Sequence, residues 1–487
     1  MRRTAWWVVA ALALAACDGG EDADASVTDD AGATSDAGRR DGGEDPRDGG
    51  DLPDATAPDA STPDGGGPTG CAPPAPFDLG VSYARTLHVS TGGDDANDGS
   101  SAAPLRTIAA AARLATPGTR VLVAAGTYPA QQLGTVQGAE GAPIAFVADG
   151  EVIIDASSGI GWAMQDAAWV VVEGFTIVDA MVHGMNLDDG GDYSTPAHHL
   201  VLRGLTVRDA GSGGNNDCIK MSGVDDFWLI DNEISGCDRG EAVDMVGCHR
   251  GVITGNHIHD VVQNGVQAKG GSADTLIHGN LFEDIPGRAV NAGGSTGLAF
   301  FRPSDAPHEA ARIRVQSNVF VRVGAESGAP IAYVGCDACG FVNNTVVEPR
   351  TWIARILQES TDARFVPSRD GVFANNVIVV NTADIRTWIN VGGGTAPETF
   401  TFSHNLWYAL DEDASWSGPT LSGGVPAETD PIIQRDPMLV DRAGGDFRLA
   451  AGSPAEGAGR AETLAGDRDG RCYADPPSLG AYERAAP

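Results

Sequence analysis

Lysine is almost absent from this chain. Of the 32 lysine and arginine residues among 487, only Lys220 and Lys269 are lysines. A lysine can accept a proton once its pKa falls, whereas arginine effectively stays charged. The two lysines are therefore candidate bases. The simpler alternative is that they are two ion-pair partners that survived in an arginine-biased sequence.

Five short segments around these lysines align with one another, and each has apolar residues at its second and fourth positions. They are Gly184–Asp188, Cys218–Ser222, Ala242–Val246, Gly265–Lys269 and Ala289–Gly293. In a strand, alternate residues face opposite sides, so the third and fifth positions point outward. The third positions are Asn186, Lys220, Asp244, Gln267 and Asn291, and the fifth are Asp188, Ser222, Val246, Lys269 and Gly293. His183, Asp217, Glu241, Asn264 and Arg288 precede the segments.

Adjacent strands lie about 5 Å apart, so Asp217, Glu241 and Asp244 can converge on one cation. Calcium takes six to eight oxygen ligands, which carboxylates on neighbouring strands can supply. A lysine beside such a cation could remove the proton in β-elimination from a uronic acid polymer. Arg288 could then stabilise the negative charge that develops. We expect Asp188, Gln267 and Asn291 to contact substrate on this face, together with His249 and Arg250.

The two lysines are not equivalent in this alignment. Lys220 lies beside Asp244 and is explained equally well as its ion-pair partner. Lys269 lies between Val246 and Gly293 in its own column, which makes it the better candidate base.

A repeat of strand-forming residues predicts the elements that hold this face. Its anchor positions lie 24 to 38 residues apart, at Gly174, Gly204, Asn232, Asn256, Asn280, Asn318, Asn344, Asn376 and Asn405. A repeat core of fixed pattern with variable gaps is typical of a solenoid, whose insertions fall in loops. Asparagine tolerates left-handed backbone and can hydrogen-bond its neighbours in a stack. The short β-branched strands indicate an all-β fold, a parallel β-helix, with a helix at 105–115 capping its N-terminal end.

The N-terminus predicts export. Residues 1–17 combine a charged start, a short apolar run and Leu14-Ala-Ala-Cys17, which resembles the lipobox of bacterial lipoproteins. Lipid on Cys17 would anchor the chain to a membrane of the cell envelope or the cell surface. Residues 18–70 carry 15 acidic and 3 basic residues, which predicts a disordered tether before a β-helix domain at 71–487. The net charge of −34 argues against nucleic acid as a partner, and we expect a monomer.

Seven cysteines follow Cys17, so at least one is unpaired within the chain. Export permits disulfides, and we expect Cys237 to pair with Cys248. Cys336 and Cys339 form a C-x-x-C motif that can bridge or bind metal.

The capping segment, the repeats and the late stretch Asp436–Glu483 together resemble the pectin-lyase-like superfamily of right-handed parallel β-helix proteins. The late stretch resembles its C-terminal coils. Within the repeats, the segments Asn216–Lys220, Cys237–Asp244 and Asn264–Gly271 resemble the active-site coils of family-nine pectate lyases. That resemblance implies a calcium-dependent lyase acting on an acidic polysaccharide.

By the same resemblance, Asp217 and Asp244 are metal ligands, with Asp238 or Glu241 as a third. The family's lysine matches Gln267, and Lys269 lies two residues further on the same face. Lys269 with Arg288 also resembles the Lys/Arg pair of the chondroitinase-B-like and alginate lyase family, but Val262 and Asn264 stand where that family has carboxylates. Two further alternatives are a glycoside hydrolase or epimerase using Glu241 and Asp244, and a non-catalytic glycan-binding or adhesin-type surface protein.

Overall fold

The computed structural model of the chain describes residues 70–211 and 216–484. The predicted signal peptide, the lipidation site at Cys17 and nearly all of the predicted tether lie outside these residues. Among the described residues, no helix is long and apolar enough to span a membrane.

The described chain winds into a right-handed parallel β-helix; the repeat predicted the parallel β-helix, and the family resemblance implied its right-handedness. Each coil contributes strands to three stacks, which we call A, B and C. Stack A contains Gln131–Gln137, the first part of Trp162–Glu173, Met185–Asp188, Ile219–Ser222, Val243–Val246, Val266–Lys269, Val290–Gly293, Ile331–Val334, Thr351–Leu357 and Ile385–Val391.

Stack B begins with Arg85–Val89, Thr119–Pro129, Ile144–Asp155 and the second part of Trp162–Glu173. It continues through Ala197–Arg203, Val224–Ile230, His249–Thr254, Ser272–Ala273, Leu276–His278, Ala310–Ala311, Arg314–Gln316, Cys336–Asp337, Gly340–Val342, Val372–Ala374 and Thr401–Ser403.

Stack C begins at the ends of Thr119–Pro129 and Ile144–Asp155. It continues through Thr176–Val178, Thr206–Ala210, Glu233–Cys237, His257–His259, Leu281–Glu283, Val319–Val321, Thr345–Val347, Val377–Val380, Leu406–Ala409 and Ile432–Ile433. Three short 3-10 turns lie at Leu298–Phe300, Thr382–Asp384 and Pro397–Thr399.

The inward residues of the three stacks form one continuous apolar core. Its N-terminal end includes the buried side chains of the helix Ile108–Leu114, which begins at the N-cap Thr107 and lies inside the predicted range 105–115. At the C-terminal end, the half-buried ring of Trp388 packs beside buried Trp407, and the half-buried ring of Trp416 packs beside Trp388.

A ladder of buried asparagines joins the coils at the corner between stacks B and C. From Asn256 onward, each side-chain carbonyl accepts hydrogen bonds from the backbone N–H and the side-chain amide of the asparagine one coil earlier, at 2.8–3.3 Å. The members are Asn232, Asn256, Asn280, Asn318, Asn344, Asn376 and Asn405. The predicted stacking is therefore confirmed. The predicted left-handed backbone falls instead on the preceding residues: Asp231, Gly255, Gly279, Ser317, Asn343, Asn375 and His404.

Two terminal segments cover the outer faces of stacks B and C. The N-terminal strap, residues 70–84, packs Phe77 and Tyr83 on the outward side of stack B. The C-terminal strap, residues 435–484, packs Phe447 and Leu449 on the outward side of stack C. The prediction that this late stretch forms C-terminal coils is therefore wrong. The segment forms the antiparallel pair Leu439–Asp441 and Asp446–Leu449 and runs back along the solenoid.

The disulfide pairing differs from the prediction. Cys218 bonds Cys237, and Cys248 is free and buried. The reason is geometric: 19 residues carry the chain almost once round a 24-residue coil and bring its ends together. Cys248 lies only eleven positions after Cys237, which carries the chain to a different corner of the coil. Cys336 bonds Cys339, and Cys71 bonds Cys472, which joins the two straps.

Candidate active site and metal centre

The outward columns of stack A have the register that the sequence predicted. Lys220 pairs with Asn186 on one side and with Asp244 on the other, and Asp244 pairs in turn with Gln267. Lys269 lies beside Val246 in the fifth column. The apolar second and fourth residues of all five segments are in the core. Neither strap packs its apolar residues on this stack, so its outer face is where chemistry can occur.

Three carboxylates meet at the centre of this face. Asp217, Glu241 and Asp244 each place an oxygen within 4.8 Å of the others, and all three residues are buried. Among the described residues, no hydrogen bond reaches Asp217 Oδ2 or Glu241 Oε2. Buried carboxylate oxygens without a donor are costly unless a cation compensates them.

The two lysines lie over these carboxylates and are each about one-tenth exposed. Lys220 Nζ forms an ion pair with Asp244 Oδ2 and lies 3.7 Å from Asp217 Oδ2. Lys269 Nζ reaches Asp244 Oδ1 at 3.3 Å. The predicted Lys220–Asp244 pair is present. Lys269 also reaches Asp244, across to the third column, because its side chain is long enough to span the two columns.

Burial and charge separate the pKa values of the three acids. Burial raises the pKa of Glu241 to about 8, and the Asp217 and Asp244 carboxylates add to the effect. Burial and the Asp244 charge also raise the pKa of Asp217. Burial opposes ionisation of Asp244, but Lys220 and Lys269 hold its pKa well below the usual range. At neutral pH Asp244 is therefore an anion between two ammonium groups.

The pKa of Lys269 depends on the same contact. Burial is the largest effect and lowers the pKa of this lysine, but the Asp244, Glu241 and Asp217 carboxylates together outweigh it and hold the pKa above its ordinary value. A cation that compensates these carboxylates would lower the pKa of Lys269 and favour its action as a base. Gly294 packs against its aliphatic stem, where an added side-chain carbon would lie 3.4 Å from Lys269 Cβ and Cδ.

A hydrogen-bonded chain leads from the carboxylates to Arg288. Gln267 donates to Asp244 Oδ1 at 3.3 Å and accepts from Asn291 at 2.7 Å. Arg288 donates to Asn291 Oδ1 at 3.1 Å and to Glu359 Oε1 at 2.8 Å. Gln267 and Asn291 are buried, so they orient their neighbours and offer substrate little surface.

The column before the strands is joined by hydrogen bonds. Backbone N–H groups of Asp217, Glu241 and Arg288 donate to the side chains of His183, Asp217 and Asn264, at 3.0–3.1 Å. Burial and the Lys220 ammonium lower the pKa of His183 to about 4, so this ring is neutral at pH 7.

The remaining predicted residues lie apart from the centre. Asp238 is exposed and is not part of the carboxylate group, so Glu241 is the third acid. Asp188 accepts from Asn186 at 2.7 Å, and burial raises its pKa. His249 and Arg250 belong to stack B, where both lie near Asp225.

Three residues near the site carried no signal in the sequence. Arg302, from the long segment after Gly293, forms two hydrogen bonds with Asp225 at 2.6 and 2.7 Å. Buried Glu309 accepts from Gly270 N at 3.0 Å and Thr296 N at 2.9 Å, beside Lys269. Glu359 holds Arg288. The 38-residue gap between Asn280 and Asn318 indicated an insertion that holds Arg302 and Glu309, whereas Glu359 lies in the later gap between Asn344 and Asn376.

The acidic group fits a calcium ion by the chemistry of its donors. Asp217, Glu241 and Asp244 offer hard carboxylate oxygens, and two of these oxygens have no hydrogen-bond donor among the described residues. Both oxygens of Asp244 are shared with lysine, so a cation would compete with Lys220 and Lys269 for that residue.

The comparisons with known proteins agree with this fold. A family model described as "right handed beta helix region" matches residues 158–350. The class of protein is thus a right-handed parallel β-helix. A crystal structure of pectate lyase Pel9A is similar, with a TM-score of 0.51 at 16% identity, over 83% of this chain and 98% of that chain.

Two further solved structures are similar, with lower TM-scores. The complex of XylC with xylose has a TM-score of 0.49 at 12% identity, covering 82% of this chain and 98% of that chain. An alginate lyase from Paenibacillus sp. str. FPU-7 has a TM-score of 0.40 at 14% identity, covering 67% and 98%. No curated protein matches the sequence.

Proposed function

We propose that this protein is a calcium-assisted polysaccharide lyase that cleaves an acidic, uronic acid glycan by β-elimination. The observation that carries the proposal is the buried group Asp217, Glu241 and Asp244 in contact with two lysines on the outer side of stack A. It combines a place for a hard cation with the only two lysines of the chain.

Calcium, when bound, would supply positive charge that neutralises the carboxylate next to the acidic carbon of a uronate. Asp217, Glu241 and Asp244 would hold it. Lys269 would remove the proton from that carbon, since a cation held by these carboxylates offsets the charges that keep the pKa of the lysine high. Arg288, oriented by Asn291 and Glu359, faces the negative charge that develops as the proton leaves.

Export and anchoring complete the proposal. A lipid on Cys17 and the acidic segment 18–70 would hold the β-helix near a membrane surface, where it meets polymeric glycan. This part rests on the sequence of the first 70 residues alone.

The test is a charge-preserving substitution of each lysine. Lys269→Arg keeps a cation beside Asp244 but removes the proton acceptor, and Lys220→Arg is its matched control. We expect unsaturated, ultraviolet-absorbing product from at least one of pectate, alginate or a glycosaminoglycan. Lys269→Arg should lower kcat about 100-fold or more, whereas Lys220→Arg stays within about tenfold of the native rate. A chelator should abolish the signal, and added calcium should restore it.

Two results would contradict this assignment. If Lys269→Arg keeps the native rate, the base lies elsewhere. If no polymer of the panel gives product yet one binds equally to the native protein and to Lys269→Arg, the protein is a non-catalytic glycan-binding β-helix.

A second candidate function is glycoside hydrolysis, and the pKa of Glu241 favours it. With a pKa of about 8 this residue is protonated at neutral pH and suits a general acid, while Asp244 stays ionised. Hydrolysis would produce reducing ends without ultraviolet absorbance and would be lost in Glu241→Gln. The same panel of polymers therefore separates the two reactions.

A further inference from the structure

An ion pair on the outer side of stack A joins two distant parts of the chain. Arg288 precedes the strand Val290–Gly293, and Glu359 follows the strand Thr351–Leu357, two coils further along the stack. Arg288 Nη2 donates a hydrogen bond to Glu359 Oε1 at 2.8 Å. The pair therefore spans the intervening coil, which contains Ile331–Val334.

Glu359 places a carboxylate where the proposed reaction needs the negative charge of the substrate. In that reaction Arg288 faces the charge that develops on a uronate as the proton leaves. A guanidinium carries one positive charge and binds a planar carboxylate through its paired donors. The Glu359 carboxylate and a substrate carboxylate therefore compete for the same group.

The contact between Arg288 and Glu359 is weaker than another arginine–carboxylate pair beside the site. Among the described residues a single hydrogen bond joins them, whereas Arg302 holds Asp225 with two, at 2.6 and 2.7 Å. The Glu359 side chain is 34% exposed, and solvent weakens such a pair. Arg288 also donates to Asn291 Oδ1 at 3.1 Å, a bond that remains when Glu359 leaves.

The backbone on both sides of Glu359 is held in place. Gln358 donates to Ser360 O at 2.9 Å and accepts from Ser368 N at 2.8 Å. The Ser360 hydroxyl donates to the buried carboxylate of Glu309. Release of Arg288 therefore needs only the rotation of one partly exposed side chain, without movement of the segment that carries it.

We propose that Glu359 is a specificity-determining residue, whose carboxylate occupies the anion site of Arg288 until an acidic sugar displaces it. The inference rests on the proposed function, because that function assigns Arg288 to the negative charge of the substrate. A uronate carboxylate offers two acceptor oxygens to the guanidinium, whereas a neutral sugar brings no charge that competes with Glu359. The ion pair thus selects acidic glycans over neutral ones.

The experiment measures binding of tetrasaccharides to the full-length protein by calorimetry, with calcium present. The background is Lys269→Arg, so that cleavage does not interfere. The probes are tetrasaccharides of pectate, alginate and hyaluronan, each with its carboxyl-reduced, neutral counterpart. Glu359→Gln and Glu359→Ala should each bind at least one acidic tetrasaccharide about threefold or more tightly than the background protein, with no gain for its neutral counterpart. Glu398→Gln, which removes a charge from the exposed turn Pro397–Thr399, is the matched control and should bind like the background protein.

A kinetic readout separates displacement from simple orientation of Arg288. If the native protein cleaves a polymer of the panel, displacement predicts a lower KM for that polymer in Glu359→Gln. A lower kcat with unchanged affinity would show instead that Glu359 only orients the arginine, and would overturn the inference.

The binding data decide the inference without cleavage as well. It fails if both Glu359 variants bind every acidic tetrasaccharide as the background protein does, if none of these proteins binds any of them, or if the neutral counterparts gain equally. If the variants bind an acidic tetrasaccharide more tightly but no polymer yields unsaturated product with the native protein, the proposed lyase activity fails and the anion site stands.

Discussion

Asp244 is the residue on which the charge balance of the site depends. Its two oxygens contact Lys220, Lys269 and Gln267, and the residue is fully buried. Removing one member of a buried ion pair leaves an uncompensated charge and commonly costs about 3–5 kcal/mol. The same residue therefore serves both the stability of stack A and the state of the candidate base.

Asp225 is another buried carboxylate whose pKa is strongly shifted. Burial opposes its ionisation, but hydrogen bonds from Arg302 and a contact with His249 hold its pKa well below the usual range. Because the folded pKa is lowered, the carboxylate stabilises the fold above its unfolded pKa of about 3.9. That contribution is lost as pH falls through the folded value.

The expected result concerns the thermal midpoint of Asp225→Asn. The variant should unfold at a lower temperature than the native protein at pH 6 to 7, and the difference should shrink as the pH falls below about 4. Asp226→Asn, whose carboxylate pairs with the exposed Arg250, is the control and should change the midpoint less. A difference that stays constant down to pH 2 would contradict the role of the Asp225 charge.

At the scale of elements, the asparagine ladder fixes the corner between stacks B and C. Asn280, in its middle, is fully buried, donates to Ile253 O and Asn318 Oδ1 at 2.9 Å, and accepts from Asn256. A buried polar group left without a partner costs about 1–3 kcal/mol. The ladder therefore contributes to register as well as to stability.

Asn280→Ala should lower the free energy of unfolding by about 2–4 kcal/mol, because several buried backbone and amide groups lose their partner at once. Urea unfolding measures this loss. Asn97→Ala, which removes a single hydrogen bond to Pro104 O near the surface, should cost about 1 kcal/mol or less. Equal losses in the two variants would show that the ladder adds nothing beyond one ordinary hydrogen bond.

At the scale of the described molecule, the two straps are held together by the Cys71–Cys472 disulfide. It joins residues 401 positions apart, whereas Cys336–Cys339 closes a loop of only three. Near the disulfide, Gly466 donates to Cys71 O and accepts from His278 at 2.7 Å. The straps cover stacks B and C and leave the outer face of stack A to the site.

Cys472→Ser should release the straps while the coils stay folded. We expect faster cleavage by a protease within residues 70–84 and 435–484, with the coils between them protected, as mapped by mass spectrometry. Cys336→Ser is the control, because it removes a disulfide that crosses no strap. Unchanged cleavage in Cys472→Ser would show that apolar packing alone holds the straps.

The sequence by itself determined the β-helix, its asparagine ladder and the outward columns that bring Asp217, Lys220, Glu241 and Asp244 together. It did so because a period of two within strands, and a repeat between coils, fix which residues face outward and which are neighbours. Those rules can be applied from the order of residues along the chain alone.

Only the tertiary structure decided what lies outside that periodicity. The Cys218–Cys237 pairing depends on how far round a coil each cysteine lies. The reach of Lys269 to Asp244 depends on a flexible side chain crossing between columns. The straps, and the support of Arg288 by Glu359, depend on loop paths that no repeat constrains. Contacts between residues far apart in sequence follow the packing of the whole chain, and so they become visible only in the folded molecule.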